Sequence, residues 1–430
     1  MELVRALLER IERLDPRCNA FLGVMRETAL AQAAAAEKEM MADGFRGPLH
    51  GIPYALKDIA DVAGLPTTCH SAIRMEHVAT QDAAIVARLR AAGAVLVGKT
   101  ALHEFATGGP ALDLPWPPAR NPWDLERHPG GSSSGSGAAL AAGLVPAAIG
   151  TDTGGSVRNP ATCCGIVGMK PTYEAISRSG VFPLSFSLDH VGAMTRTVED
   201  NALLLQALLP GSNDVVSGQR RGVKGLRIGI VEHWHTEDLP ADPQMARALA
   251  VAADKLSELG AQVDPVRLSP LAVWAACGRV IQQAEQYVIH ERWLQDRPQD
   301  YCEISRAKLL AGAFLSARDY VKARQAQRVL RDEFDRLMTG YDALIALSGH
   351  ALPLRFDDPE MTKAYERQAR MPFNVTGTPA LAVPTGFSNE GLPLGMQIAG
   401  KANDEAMLYR IAWQYEEATQ WTSRHPPQFA

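Results

Sequence analysis

Aromatic residues are scarce, at 6% of 430 positions, and there are only six cysteines. Neither shortage limits the core, because 46% of residues are hydrophobic and the composition is that of an ordinary globular protein. The cysteines, at 18, 69, 163, 164, 277 and 302, form no CxxC. A disulfide scaffold and a cysteine metal clip are therefore not indicated, and the thiols read as small buried side chains in a reducing compartment. An excess of charge is also lacking: 43 Lys+Arg against 48 Asp+Glu leave −5, which excludes the broad basic surface of a nucleic-acid or anionic-membrane binder. No apolar run approaches the ~18 residues of a membrane span, and MELVRALLERIERLDP has no signal-peptide stretch. The expectation is a soluble cytoplasmic protein with no nucleic-acid or membrane partner. The eleven histidines include no HExxH. Their nearest approach to a metal pattern, His233-Trp234-His235 beside Glu232, reads as exposed histidines where a strand enters a loop, so no metal is expected.

At ~150 residues per domain the length suggests about three domains. Leu3, Leu7, Leu8, Ile11 and Leu14 recur at a helical period that Asp15-Pro16 is expected to stop, and 29–41 reads as a second helix. Then come a strand within 51–59, a helix over 82–92 ended by Gly93, and a short strand at 94–97. Between 130 and 155 Gly, Ser and Ala dominate, with AALAAGLV and PAAIG reading as a tightly packed helix and a buried strand. Beyond 180 the pattern gives a helix at 198–209, a polar connector at 211–224, LRIGIV as a strand, a helix at 243–259 and AQVDPV as a strand. Residues 270–340 read as mostly helical, 341–348, 379–383 and 392–398 as strands, and 405–418 as a closing helix. Alternation of strands and helices places the chain in the α/β class, with a central mixed β-sheet covered on both faces by α-helices.

Two short glycine motifs mimic known sites. Gly93-AVLV-Gly98-Lys99-Thr100 matches GxxxxGK[ST], but a phosphate loop needs a strand before its first glycine. Here a helix precedes, and AVLV itself reads as the strand. Gly131-Ser132-Ser133-Ser134-Gly135 matches GxSxG, which would make Ser133 a nucleophile served by a late histidine, His350 or His425. The preceding NPWDLERHPG is too polar and proline-rich to be the strand that such an elbow requires.

A third set of blocks is longer. Lys57 in GPLHGIPYALKDIADVAGLPTT, the run GGSSSGSGAA, and Ser156 in GTDTGGSVRNPATCCGIVGMKPT occur in that order, with AAGAVLVGKT, NPWD, SRSGVFPLSFSLDHVGAMTRTVED, NVTGTPALAVPTG and GLPLGMQIAG around them. In these blocks the sequence resembles the amidase signature family of serine hydrolases over nearly its whole length. The resemblance implies one domain over 1–430, with a signature core at about 48–200, a variable helical substrate region at about 270–340, and closing strands and helix at 341–420. It also implies a triad of Lys57, Ser132 in a cis peptide, and nucleophilic Ser156. The backbone N–H groups of Thr153, Gly154, Gly155 and Ser156 are then the expected oxyanion hole, with Asp152 and Arg158 holding that turn or Arg158 meeting an acidic substrate. Asn159 is a candidate specificity position.

The chemistry is intelligible from the residues. A serine hydroxyl needs a base to remove its proton, and these blocks offer lysine rather than histidine. At an ordinary pKa near 10.4 only about one lysine in 10³ to 10⁴ is neutral at pH 7, so Lys57 needs burial, which favours the uncharged amine. Asp58 would oppose this, but strand alternation turns it to the other side. Ser132 would relay the proton, and Ser133, Ser134 and Ser136 read as structural. The sequence departs from the family pattern at Ser134, a place often taken by Gly, and at Tyr173-Glu174, where Gly usually follows the aromatic. The cluster Trp116-Pro117-Pro118 suits either an entrance wall or a surface loop. Residues 105–123, 182–186 and 270–330 are expected to shape the pocket, the last through Trp274, Gln282, Gln283, Tyr287, Trp293 and Tyr320. The implied activity is hydrolysis of a small-molecule carboxylic amide in a linear substrate, releasing ammonia or an amine without cofactor. The alternatives are the amide-hydrolysing subunit of a tRNA-dependent amidotransferase, which would need hetero-subunits, and a nucleotide-binding protein using Gly93–Thr100. The sequence leaves the oligomeric state open between a homodimer and an assembly with hetero-subunits.

Overall fold

In the computed structural model, which describes residues 1–211, 214–361 and 365–430, eleven strands form one mixed sheet. They are β1 (Phe21–Val24), β2 (Pro53–Lys57), β3 (Val95–Thr100), β4 (Ala147–Asp152), β5 (Val167–Lys170), β6 (His190–Thr195), β7 (Arg227–Ile230), β8 (Gln262–Pro265), β9 (Ala343–Leu347), β10 (Ala380–Phe387) and β11 (Pro393–Ala399). Their spatial order is β1-β3-β2-β4-β6-β5-β10-β11-β9-β7-β8. β2 pairs in parallel with β3 and β4, and β7 with β8 and β9, while the central pairs are antiparallel. The hairpin β10–β11 thus lies mid-sheet and joins β5 on one side to β9 on the other.

Period-2 alternation sorts the strand side chains onto two faces. Tyr54 and Leu56 of β2, with Ile149 of β4, enter one core, beneath the helices Ala84–Ala91, Val198–Leu208, Pro243–Glu258 and Glu405–Thr419. Ala55 and Ala148 point oppositely, into a core built with the helices Glu2–Cys18, Arg26–Met41 and Ser134–Ala141. On that same side of the second half, Leu344 and Ala346 of β9 meet the long helices Leu271–Asp296 and Ala317–Met338. The result is a single large α/β domain with helices on both faces.

The small residues of Ser134–Ala141 let backbone approach backbone, and all eight are buried. A Cβ at Gly135 would fall 2.2 Å from the Ala20 carbonyl oxygen and 2.5 Å from the Ala101 nitrogen, so only glycine fits there.

Several elements differ from expectation. The first helix runs through Pro16 to Cys18 and ends at left-handed Asn19 (φ 51°). Proline removes one hydrogen bond, but burial of Cys18 and the Asn19 N–H donating to the Asp15 carbonyl at 2.8 Å hold the last turn in place. Strands β1, β5 and β6 were not anticipated. His233 and His235 are buried rather than exposed, because the turn carrying them tucks Trp234 into the core and His233 Nε2 lies 3.0 Å from the Leu268 carbonyl. Of the connector expected at 211–224, residues 212 and 213 lie outside the described residues. Glu174 adopts φ 63°, the left-handed region in which glycine would be unstrained.

Candidate active site

The parallel pairing of β2 with β4 brings Lys57, the last residue of β2, beside the end of β4. The lysine is 1% exposed. Its Nζ donates to Ser132 Oγ at 2.8 Å and to Thr151 Oγ1 at 2.7 Å. Burial lowers its pKa to about 7, against the opposing pull of Asp152 and Asp189. Asp58 faces elsewhere and accepts from Lys99 Nζ at 2.6 Å and from the Thr68 N–H at 2.9 Å.

That ion pair removes the phosphate-loop reading. Residues Val95–Thr100 are a fully buried strand, and the Lys99 ammonium is held by Asp58 and the Pro66 carbonyl oxygen. The elbow reading fails as well: Ser133 is fully buried, and its Oγ bridges the Thr151 backbone N–H and C=O at 3.3 Å each. Ser136 reaches Thr100 Oγ1 at 2.9 Å. His350 is engaged with the Leu239 carbonyl and His425 with Arg196.

The peptide Gly131–Ser132 is cis. The Ser132 carbonyl accepts from the His103 N–H at 3.0 Å, and the Gly131 carbonyl from Asn159 Nδ2 at 3.3 Å. Ser156 lies in the turn between β4 and the helix Arg158–Cys164. Asp152 organises this turn: its carboxylate accepts from the N–H groups of Gly155 (2.8 Å) and Val157 (3.1 Å), from Arg158 Nε (3.1 Å) and Nη2 (3.0 Å), and from Asn374 Nδ2 (2.9 Å). Burial alone would raise the Asp152 pKa, but Arg158 holds it well below the usual carboxylate range. Arg158 also donates to Gln397 Oε1 at 2.7 Å and to Asn374 Oδ1 at 2.6 Å, and it is fully buried. Its guanidinium is therefore committed within the protein and does not reach the cavity. Of the four expected oxyanion donors, Gly155 is likewise committed to Asp152. The N–H groups of Thr153, Gly154 and Ser156 have no acceptor among the described residues.

Ser132, Thr153, Gly154 and Ser156 line a cavity of about 290 Å³. From the segments expected to shape it come Thr107, Gly108, Leu184, Gln282 and Gln283. The Trp116 segment lies apart, with Trp116 edge-on to His70 at 5.7 Å. Trp274 is core, Trp293 stacks with Phe105 and Phe182, and Tyr320 donates to Glu285 at 2.8 Å. Sequence reasoning did not name Thr151 or Arg370, and it placed Arg279 and Lys308 only as part of the 270–330 segment expected to shape the pocket. A β2–β4 register would have exposed Thr151, whereas the cations carry no local signal. No group of three or more metal-ligating side chains occurs among the described residues, and no helix there is long and apolar enough to cross a membrane.

A family model described as Amidase matches residues 2–409. A glutamyl-tRNA(Gln) amidotransferase subunit of Syntrophobacter fumaroxidans is 38% identical over 458 residues, spanning 97% of this chain and 93% of the relative. The peptide amidase of Stenotrophomonas maltophilia superposes with a TM-score of 0.86 at 32% identity, over 100% of this chain and 95% of that one. A protein solved in work on a vestigial protein complex and the evolutionary origins of an s-triazine catabolic enzyme gives a TM-score of 0.90 at 32% identity, over 97% of this chain and 95% of that one. The fold, the ordered sequence blocks and these matches agree: the chain belongs to the amidase signature family of hydrolases.

Proposed function

We propose that this protein hydrolyses a small linear carboxylic amide through an acyl-enzyme on Ser156. The observation that carries the reading is the buried contact of Lys57 Nζ with Ser132 Oγ, 2.8 Å, at the wall of a cavity that also exposes Ser156. With its pKa near 7, Lys57 is substantially neutral at physiological pH and able to accept a proton. Ser156 Oγ attacks the amide carbonyl, its proton passes to Ser132, and the Ser132 proton passes to Lys57. The carbonyl oxygen, now negative, is met by the N–H groups of Gly154 and Ser156, each such donor typically worth ~2.7–4 kcal/mol of barrier. Ser132 returns a proton to the nitrogen, the C–N bond breaks, and ammonia or an amine leaves. Water then attacks the acyl ester by the same relay, releasing the acid and restoring Ser156. Asp152 and Arg158 act by holding the Ser156 turn.

A panel of amides and anilides, assayed with wild type, Ser156→Ala and Lys57→Ala, tests this. Both variants are expected to stay folded and lose nearly all turnover; an active Ser156→Ala enzyme sinks the assignment. The 38% identity to an amidotransferase component supports a second reading, in which the same chemistry supplies ammonia within a hetero-complex. Copurifying subunits would favour it, and turnover of simple amides by the isolated chain would count against it.

A further inference from the structure

The cavity contains more positive charge than hydrolysis of a neutral amide requires. Arg279, Lys308 and Arg370 line it, against one carboxylate, Glu366. No salt bridge among the described residues engages any of these three cations, whereas Lys99 and Arg158 each lie on a carboxylate. Arg279 is exposed at the rim, and Lys308 is half-buried with its Nζ on the Gly108 carbonyl at 2.7 Å.

Arg370 is different in kind, because it is only 3% exposed. Its Nη1 donates to the Ser348 carbonyl at 2.9 Å, its Nε is buried with no acceptor, and nothing among the described residues accepts from Nη2. Burial lowers its pKa to about 10, so it remains a cation at neutral pH. A Cβ placed on Gly155 would fall 2.3 Å from Arg370 Nε, which sets the guanidinium against the residue immediately before Ser156. An arginine retained for structure alone would have its donors satisfied, as those of Arg158 are. A buried guanidinium with free donors, no salt-bridge partner among the described residues and a place on a cavity wall has the makings of an anion receptor, and its planar fork matches a carboxylate.

We propose that Arg370 anchors a carboxylate on the acyl part of the substrate, so that the preferred substrates are short amides carrying a free carboxylate near the scissile carbonyl. Arg279 and Lys308 draw that anion in from solvent. The proposal rests on amide hydrolysis at Ser156 and narrows it to a substrate class. The modest volume, about 290 Å³, and the closeness of Arg370 to Gly155 both restrict the separation between carboxylate and amide to a few bonds.

The test uses the carbamoyl acids oxamate, malonamate, succinamate and glutaramate, each paired with the uncharged alkyl amide of equal length. kcat/KM is measured for wild type, Arg370→Gln and Arg370→Lys. For at least one length the wild type should favour the acid by about 10- to 150-fold, the range for a hydrogen bond to a charged group. Arg370→Gln should bring that ratio near one, mainly through KM, and Arg370→Lys should retain part of it, since charge remains while the fork is lost. A ratio taken within one preparation does not depend on the fraction folded. A wild type with no preference for any acid, or a preference that survives in Arg370→Gln, overturns the proposal and leaves amide hydrolysis standing. Calorimetric titration with malonate, succinate and glutarate separates the opposite failure. Binding to wild type but not to Arg370→Gln, without turnover of any amide, sustains the anchor and defeats hydrolysis alone. Absence of dicarboxylate binding together with absence of turnover defeats both.

Discussion

Asp152 and Arg158 are joined twice, through Nε at 3.1 Å and Nη2 at 3.0 Å, with neither side chain reaching solvent. Because the same carboxylate receives the Gly155 and Val157 N–H groups, this pair sets the shape of the turn that presents Ser156. Replacing Arg158 by Met leaves a buried carboxylate without its cation, and the expected loss is about 3–5 kcal/mol of stability by chemical denaturation. Asp152 has a depressed pKa in the folded state, so its contribution is present above the unfolded value near 3.9 and falls away as the solution is acidified below it. The stability difference between wild type and Arg158→Met should therefore be greatest above about pH 5 and shrink in acid. A difference that stays constant down to pH 2 would contradict the pairing.

Lys57 dictates a pH profile. If it accepts the relayed proton, kcat/KM on an uncharged amide should rise with pH through an apparent pKa of about 7 and then level off. The same shift works on stability in the opposite sense to a usual salt bridge. Between about pH 7 and the unfolded value near 10.4, the unfolded chain binds the proton that the folded chain does not, so Lys57 favours folding more as pH rises through that window. Lys57→Met should flatten this part of the stability curve, which denaturant midpoints between pH 7 and 10 would reveal.

Gly155 has φ +120°, and a Cβ there would overlap Arg370. Gly155→Ala is expected to lower kcat at least 100-fold, by displacing the residue next to Ser156. Trimming the arginine in the double variant with Arg370→Ala relieves only the overlap, because the backbone conformation itself disfavours an L side chain. Recovery of wild-type kcat in that double variant would refute the backbone explanation.

Thr151 holds Lys57 from the neighbouring strand at 2.7 Å. Its hydroxyl accepts from the ammonium and so favours the charged form. Thr151→Val should move the acid limb of the rate profile below pH 7 while reducing kcat about tenfold and changing KM little. A merely structural role would leave the limb in place.

Lys57, Ser132 and Ser156, the residues proposed to carry the reaction, were named through the family resemblance of the contiguous blocks that hold them. Their supports were not. Thr151 meets Lys57 only through the parallel pairing of β2 and β4, and Asn374 and Gln397 reach Asp152 and Arg158 from more than 200 residues away. Local patterns encode neither relationship. The strands VGMK and HVGAMT were overlooked because glycine and methionine replace the β-branched runs that mark a strand, and they are stable only by lying between other strands. Pro16 misled in the other direction, since tertiary burial outweighed one lost hydrogen bond.

Because β10 and β11 fill the middle of the sheet, the order of synthesis matters to the Ser156 turn. Without β10 and β11, as in a nascent chain ending before Ala380, this strand order leaves β1–β6 and β7–β9 no pairing with each other, and β5 and β9 each lack a neighbour. At that stage Gln397, an acceptor for the Arg158 guanidinium, has not been made. Until the C-terminal hairpin has been made, the pair that holds the Ser156 turn therefore lacks one of its partners, and a chain still on the ribosome carries that turn in an unfinished frame.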